Sequence, residues 1–223
     1  MLAFSNDVYF GLIGDYTRQY WWFAVLFATG IPVILVSLRN FPSLVDRTIV
    51  LLLITALGLM GWQLYFLRFT GILWIAPLFA LLCCIQAVTL LLKLRRPTPF
   101  GFHLATTPMA ITGTAILFCS LFLLPVVNLA LGQPSAQIPY AGLIPVPTLA
   151  AFTGLLLLAT GRLSRMLYII PVLLLLAEGL QSYLLGIFLD VFLAGLGLLA
   201  ALLGLFRKSP STDHRPTKDY TPD

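Results

Sequence analysis

The sequence predicts an all-α integral membrane protein, and three observations carry that prediction. Of the 223 residues, 60% are hydrophobic and only 9% are charged, with a mean hydropathy of +0.99. A soluble domain carries about 25% charged residues, so too little polar surface is present to cover a globule in water. Four stretches, Gln19–Leu38, Thr48–Leu67, Phe69–Leu92 and Pro97–Gly161, contain no Asp, Glu, Lys or Arg. Each is at least as long as the ~20 residues that cross a bilayer. The stretches are apolar on every face, whereas a transmembrane β-barrel alternates over ~10-residue segments. Soluble enzyme classes are thereby excluded.

Seven spans fit these stretches best, at about 20–38, 48–67, 71–92, 108–131, 146–161, 166–182 and 186–206. The fifth is short and can begin as irregular backbone, and the last two require a tight turn near Ser182–Gly186. A six-span arrangement with one re-entrant segment is the alternative. Seven crossings place eleven of the thirteen basic residues on the side of the C-terminal tail and only Arg18 and Arg68 on the other. Such an asymmetry sets orientation, and it predicts an N-terminus outside and a C-terminus in the cytoplasm. The formal charge of +5 reflects this topology and implies no nucleic-acid partner.

Residues 1–19 mix Phe4, Val8, Leu12 and Ile13 with Ser5, Asn6, Asp7, Asp15 and Arg18, the composition of an interfacial helix on the outer surface. Tyr20, Trp21 and Trp22 then mark the headgroup level. Residues 20–206 form the helical bundle. The cytoplasmic tail, 207–223, is rich in Pro, Ser, Thr and charges and is expected to be disordered. Asp7 and Asp15, together with the lack of a basic start, argue against a cleavable signal peptide.

Polar groups inside the apolar stretches are the candidates for function. Glu178 and Asp190 fall near the outer ends of the last two spans. An intramembrane carboxylate is costly unless it is paired or protonated. Arg68, after Gln63 and Tyr65, is the nearest outer-side base, so an ion pair with Glu178 or Asp190 is expected. The plain alternative is that both acids reach the interface at a turn. The uncharged connection Asn128–Thr148 contains Gln133, Gln137, Tyr140 and the prolines Pro134, Pro139, Pro145 and Pro147. Four prolines leave backbone carbonyls without helical partners. Such backbone is tolerated at membrane depth only inside protein or beside a wet cavity, so a re-entrant or lid-like segment competes with an ordinary surface loop. Pro32, Pro77, Pro125 and Pro171 each interrupt a predicted span. Gly197/Ala201 and Ala200/Gly204 form small-residue pairs fit for close packing, within the chain or across a dimer.

Cys83, Cys84 and Cys119 lie in apolar spans and read as small buried hydrophobes. The two histidines, His103 and His214, complete no zinc or nucleophile pattern, so no catalytic residue, metal or cofactor is expected.

The run Gly142-Leu-Ile-Pro145-Val-Pro147-Thr148, continuing to Phe152-Thr153-Gly154, resembles the hallmark of a bacterial membrane-protein family of unknown function. This is the domain-of-unknown-function family numbered six thousand and sixty-four. Leu2-Ala-Phe4, Tyr16, Trp22, Gln86-Ala87, Ile170-Pro171 and the segment around Asp190 agree with it. The family pattern favours a histidine at Gln133, another histidine following tyrosine at Phe66, asparagine near Leu73 and cysteine at Val146. Chemistry built on those histidines or that cysteine is therefore absent from this chain. The resemblance implies the fold, the membrane location and interest in Asp190 and Pro145–Thr148, and it implies no activity.

The resulting expectation is a bacterial inner-membrane protein with an outward-facing polar vestibule that binds or passes a small solute or cation. Its lining would be Arg68, Asn128, Gln133, Tyr140, Thr148, Glu178 and Asp190, with Gln63, Gln137 and Gln181 around them. The competing expectation is a non-catalytic scaffold or accessory subunit, within a homo-oligomer or beside a membrane partner, and a membrane-embedded enzyme with Glu178 and Asp190 as an aspartyl-type pair comes third.

Overall fold

The chain folds around a helix too short to cross a membrane. In the computed structural model, which describes residues 6–37, 42–95, 101–102, 107–160 and 165–206, the central helix α6 (Pro145–Leu158) has 14 residues, every one of them buried. At 1.5 Å per residue it is roughly 21 Å long, short of the ~30 Å hydrocarbon core. Six other helical segments are long and apolar enough to span: Asp7–Val36, Leu44–Phe69, Ala76–Leu94, Pro108–Ala130, Met166–Leu184 and Phe188–Leu205. The expected seven crossings thus become six long helices and one short internal one. The fifth predicted span does not start as irregular backbone: it is helical from Pro145, because Pro145 and Pro147 fall in the first turn of α6, where proline is tolerated, and the irregular backbone ends before them.

Helix α1 (Asn6–Val36) runs through both the expected interfacial segment and the first span, with non-helical dihedrals at Tyr20 (φ −118°, ψ 15°). The predicted boundary at residue 19/20 is therefore a kink. Its first half packs on the bundle, because Tyr9, Ile13, Tyr16 and Thr17 recur at helical spacing and are all buried. The Tyr9 ring stacks on Phe69 with centroids 5.9 Å apart.

Helix α2 (Pro42–Gly58) widens into π-helical turns over Leu59–Phe69. Gly61 there lets α3 (Ala76–Leu94) approach closely: a Cβ added to Gly61 would stand 3.0 Å from Cys83 Cβ and 3.3 Å from Ala80 O. Pro77 does not interrupt a span as expected, because it lies in the first turn of α3, where its missing N–H costs nothing. Pro125 lies in the first turn of α5 (Leu124–Ala130), after π-helical turns at Cys119–Leu123 that continue α4 (Pro108–Phe118). Pro125 thus stands inside the continuous helical segment Pro108–Ala130, as Pro32 stands inside α1 and Pro171 inside Met166–Leu184, so these three do fall within spans as expected.

At the end of the bundle remote from the α1 kink, β1 (Gly101–Phe102) pairs antiparallel with β2 (Ala159–Thr160). The Phe102 N–H also donates to Asp46 Oδ1 at 3.1 Å, which ties this clasp to α2. The expected disordered tail, 207–223, lies outside the described residues.

Helices α7 (Met166–Leu184) and α8 (Phe188–Leu205) form the predicted tight hairpin, turning at Gly186 with φ +72°. α6 packs against α4, α7 and α8. Its closest approach is to α4, where a Cβ on Gly154 would sit 2.8 Å from Gly113 O, and one on Gly113 would sit 2.6 Å from Gly154 O. The small residues of α8 work the same way inside the chain. A Cβ on Gly197 would meet Ala150 Cα at 3.2 Å, and one on Gly204 would run into the Tyr168 ring.

Candidate functional site

Glu178 and Asp190 come together in the α7–α8 hairpin, and both are 2% exposed. They stand twelve positions apart in sequence, and the turn folds α8 back along α7 so tightly that a Cβ on Gly179 would reach Ala194 Cβ at 3.2 Å. Each carboxyl stands within electrostatic range of the other helix's acid. Helix geometry alone would leave them facing a neighbour, and three more elements enclose them. The π-helical turns of α2 present Tyr65, whose hydroxyl donates to Glu178 Oε1 at 2.5 Å. The Tyr65 ring is held edge-on by Phe69 and Phe79, at 6.1 and 5.5 Å. Cys83 of α3 and Tyr9 of α1 complete the surroundings, both buried and both within electrostatic range of Glu178. Widened π turns recur at functional sites, and here the widening aims a phenol at a carboxyl.

Among the described residues neither acid of this cluster is paired with a Lys or Arg side chain. Among the described residues the one ion pair is the exposed Arg18–Asp15 contact at 3.9 Å. Asp190 Oδ1 and Gln181 Nε2 are buried with no hydrogen-bond partner. Asp190 lies in the first turn of α8, where the helix dipole favours an anion, but that turn has no side-chain cap. Among the described residues no three His, Cys, Asp or Glu side chains gather into a metal-binding group.

Arg68 does not make the expected pair with Glu178 or Asp190. Its guanidinium donates to Gln63 O at 2.9 Å and to Gln19 Oε1 at 2.5 Å, and lies 5.0 Å from the Tyr16 ring centroid and 6.0 Å from that of Tyr20. Stacking on two tyrosines at the kink outcompetes a reach into the core, because the long stem and planar head suit a rim position. Arg68 therefore fastens α1 to the end of α2.

The remaining expected vestibule residues are dispersed. Asn128 is buried but donates within its own helix to Leu124 O at 2.9 Å. Thr148 is occupied as a staple: its Oγ1 accepts from Gly142 N at 2.8 Å and donates to Ile144 O at 2.6 Å, closing the connection onto α6. Gln133 has a buried, unpartnered Oε1 and stands in the connection. Tyr140 opens onto a different feature, a groove of about 480 Å³ between α1 and α5. Partial burial pushes its phenol above the ordinary range, so it remains a neutral donor. The connection is exposed over much of 131–137 and internal over its second half, with Ile138, Ala141, Leu143 and Ile144 buried. Gln137 packs over Gly14 of α1.

Tyr65 and Cys83 were not singled out by the sequence as partners of the acids. A tyrosine inside an apolar span was the available signal for Tyr65, since a buried phenol seeks an acceptor. Cys83 carried no signal at all.

The architecture defines a multi-pass α-helical membrane protein whose polar interior is a phenol–carboxyl cluster. Residues 6–214 match the pattern of a family of unknown function (DUF6064), and the chain belongs to that family, as the Pro145–Gly154 motif implied. No curated protein and no solved structure matches the chain.

Proposed function

We propose that the protein binds and passes a proton or a small monovalent cation, or a solute carrying one, through the Tyr65–Glu178–Asp190 cluster. The observation that carries this reading is the pair of buried carboxyl groups with a hydrogen-bonding phenol, an unpartnered Asp190 Oδ1 and, among the described residues, no ion pair to either acid. Buried carboxylates in a bundle need neutralising, and intramembrane acids mark ion and proton pathways by default. A proton or a weakly held cation is the least costly neutraliser. Two acids, a phenol and an amide offer oxygen ligands for a hard monovalent ion, without the full oxygen shell that calcium prefers.

The cluster lies near the α7–α8 turn, at the end of the bundle that the sequence makes poor in Lys and Arg. By the positive-inside rule this is the outer face of a bacterial inner membrane, with the N-terminus outside. Detergent-purified protein is to be unfolded thermally across pH and across NaCl, KCl and MgCl2 series, for the wild type and for Glu178→Gln and Asp190→Asn. A midpoint that responds to pH or to one monovalent ion in the wild type, and loses the response in folded variants, supports the site, because a ligand of the folded state stabilises it by mass action. A flat wild-type response, with the variants merely less stable, makes the acids structural. The competing reading, a scaffold or accessory subunit, then takes precedence.

A further inference from the structure

The α1 kink opens a second feature that the carboxyl cluster does not use. The groove of about 480 Å³ runs along one face of α1 from Thr17 to Ala28, roughly 16 Å at the helical rise, which is the depth of one leaflet of a ~30 Å core. Its volume lies in the ~300–1,000 Å³ range of small-molecule sites. Ala24, Ala28, Leu121 and Pro125 make its walls apolar, and the polar groups collect at one end, with Thr17 and Arg18 on α1 and Tyr140 across from them. That end is at the level of Trp21 and Trp22, 61% and 53% exposed, where aromatic residues mark the headgroup region.

Thr17 is the anomaly. Thr29, Thr55, Thr89 and Thr112 each donate to the carbonyl four residues back. Thr17 is also helical, is 3% exposed, and its Oγ1 is buried without a partner. A buried hydroxyl left unbonded is costly, and a ligand oxygen would remove the cost. Arg18 supplies the charge. Its contact with Asp15 is loose, at 3.9 Å with both side chains about three-quarters exposed, and a guanidinium has five donors to offer an anion.

We propose that this groove binds one phospholipid of net negative charge from the surrounding leaflet, with its phosphate held by Arg18, whose charge a zwitterionic headgroup would leave partly opposed, and by the Thr17 hydroxyl, and an acyl chain lying along Ala24 and Ala28. The Tyr140 phenol donates to the same headgroup. The site is separate from Glu178 and Asp190 and stands whether or not they bind an ion.

The test uses full-length protein delipidated in dodecyl maltoside, with dioleoylphosphatidylglycerol or dioleoylphosphatidylcholine added back, read by native mass spectrometry and by thermal midpoint. The wild type is expected to retain one phosphatidylglycerol under activation that strips phosphatidylcholine, with a raised midpoint. Thr17→Val is expected to be at least as stable as the wild type without lipid and to lose half or more of the lipid-induced rise. Arg18→Gln is expected to reduce phosphatidylglycerol retention to that of phosphatidylcholine. Ala28→Trp, which fills the groove, is expected to abolish retention, with circular dichroism confirming its fold. Equal retention of both lipids by the wild type overturns the proposal, as does phosphatidylglycerol retention unchanged by Arg18→Gln and Thr17→Val.

Discussion

Removing the Tyr65 hydroxyl isolates the central contact of the cluster. Tyr65→Phe keeps the ring, and with it the edge-on packing against Phe69 and Phe79, and deletes only the bond to Glu178 Oε1. Hydrogen bonds between helices in a bilayer contribute about 0.6 kcal/mol on average and up to about 1.7. An acceptor left buried and unbonded costs about 1–3 kcal/mol. Because Tyr65 is fully buried and Glu178 is 2% exposed, water cannot replace the lost donor. A destabilisation of about 1–2 kcal/mol is expected. Glu178→Met removes the other partner and orphans the phenol, at a similar cost. The double variant replaces both groups by apolar atoms of similar shape and should cost about 1 kcal/mol less than the sum of the two singles. Unfolding by SDS titration in mixed micelles, followed by tryptophan fluorescence, gives the three free energies. Additivity within ~0.5 kcal/mol would refute the contact as an energetic unit and with it the cluster geometry.

Gly154→Ala puts a methyl 2.8 Å from Gly113 O and should cost about 1–3 kcal/mol of overpacking, less whatever helix propensity returns. Gly195→Ala, with open space around it, should be neutral or stabilising in the same titration. Thr148→Val leaves the Gly142 N–H without its acceptor, so it should lose about 1–3 kcal/mol and make the connection 131–144 sensitive to protease, whereas Thr148→Ser should retain most of the stability. Arg68→Gln removes the stacking on Tyr16 and the bond to Gln19. Faster hydrogen exchange over residues 7–19 is expected, with the ion or pH response of the carboxyl cluster unchanged, because Arg68 does not contact it.

Much of the architecture was legible in the sequence. Charge-free apolar runs define spans because a bilayer solvates neither charge nor open backbone, so the helices around residues 48–69, 76–94, 108–130, 166–184 and 188–205 follow from composition. Gly186 marks the last turn for the same local reason. The length of α6 was half legible: Pro145 and Pro147 fix where it begins, but its burial on all sides depends on α4, α7 and α8 closing around it. The Gly101–Thr160 pairing joins residues too distant in sequence for any local pattern to register.

The site divides along the same line. Glu178 and Asp190 stood out in sequence because carboxyls are rare in apolar runs, and a residue's solvation cost is a property of its own chemistry. Partnership is a property of the packing. Charge complementarity favoured Arg68 as the partner, and the fold instead turned Arg68 onto Tyr16 and Gln19 and brought in Tyr65, because the π-helical turns at Leu59–Phe69 rotate that phenol inward. Which polar side chains meet is set by helix rotation and by close approaches at residues such as Gly61 and Gly179, and neither is written in hydropathy. The sequence by itself determined that this chain lives in a membrane and which groups are expensive there; the tertiary structure decided how that expense is met.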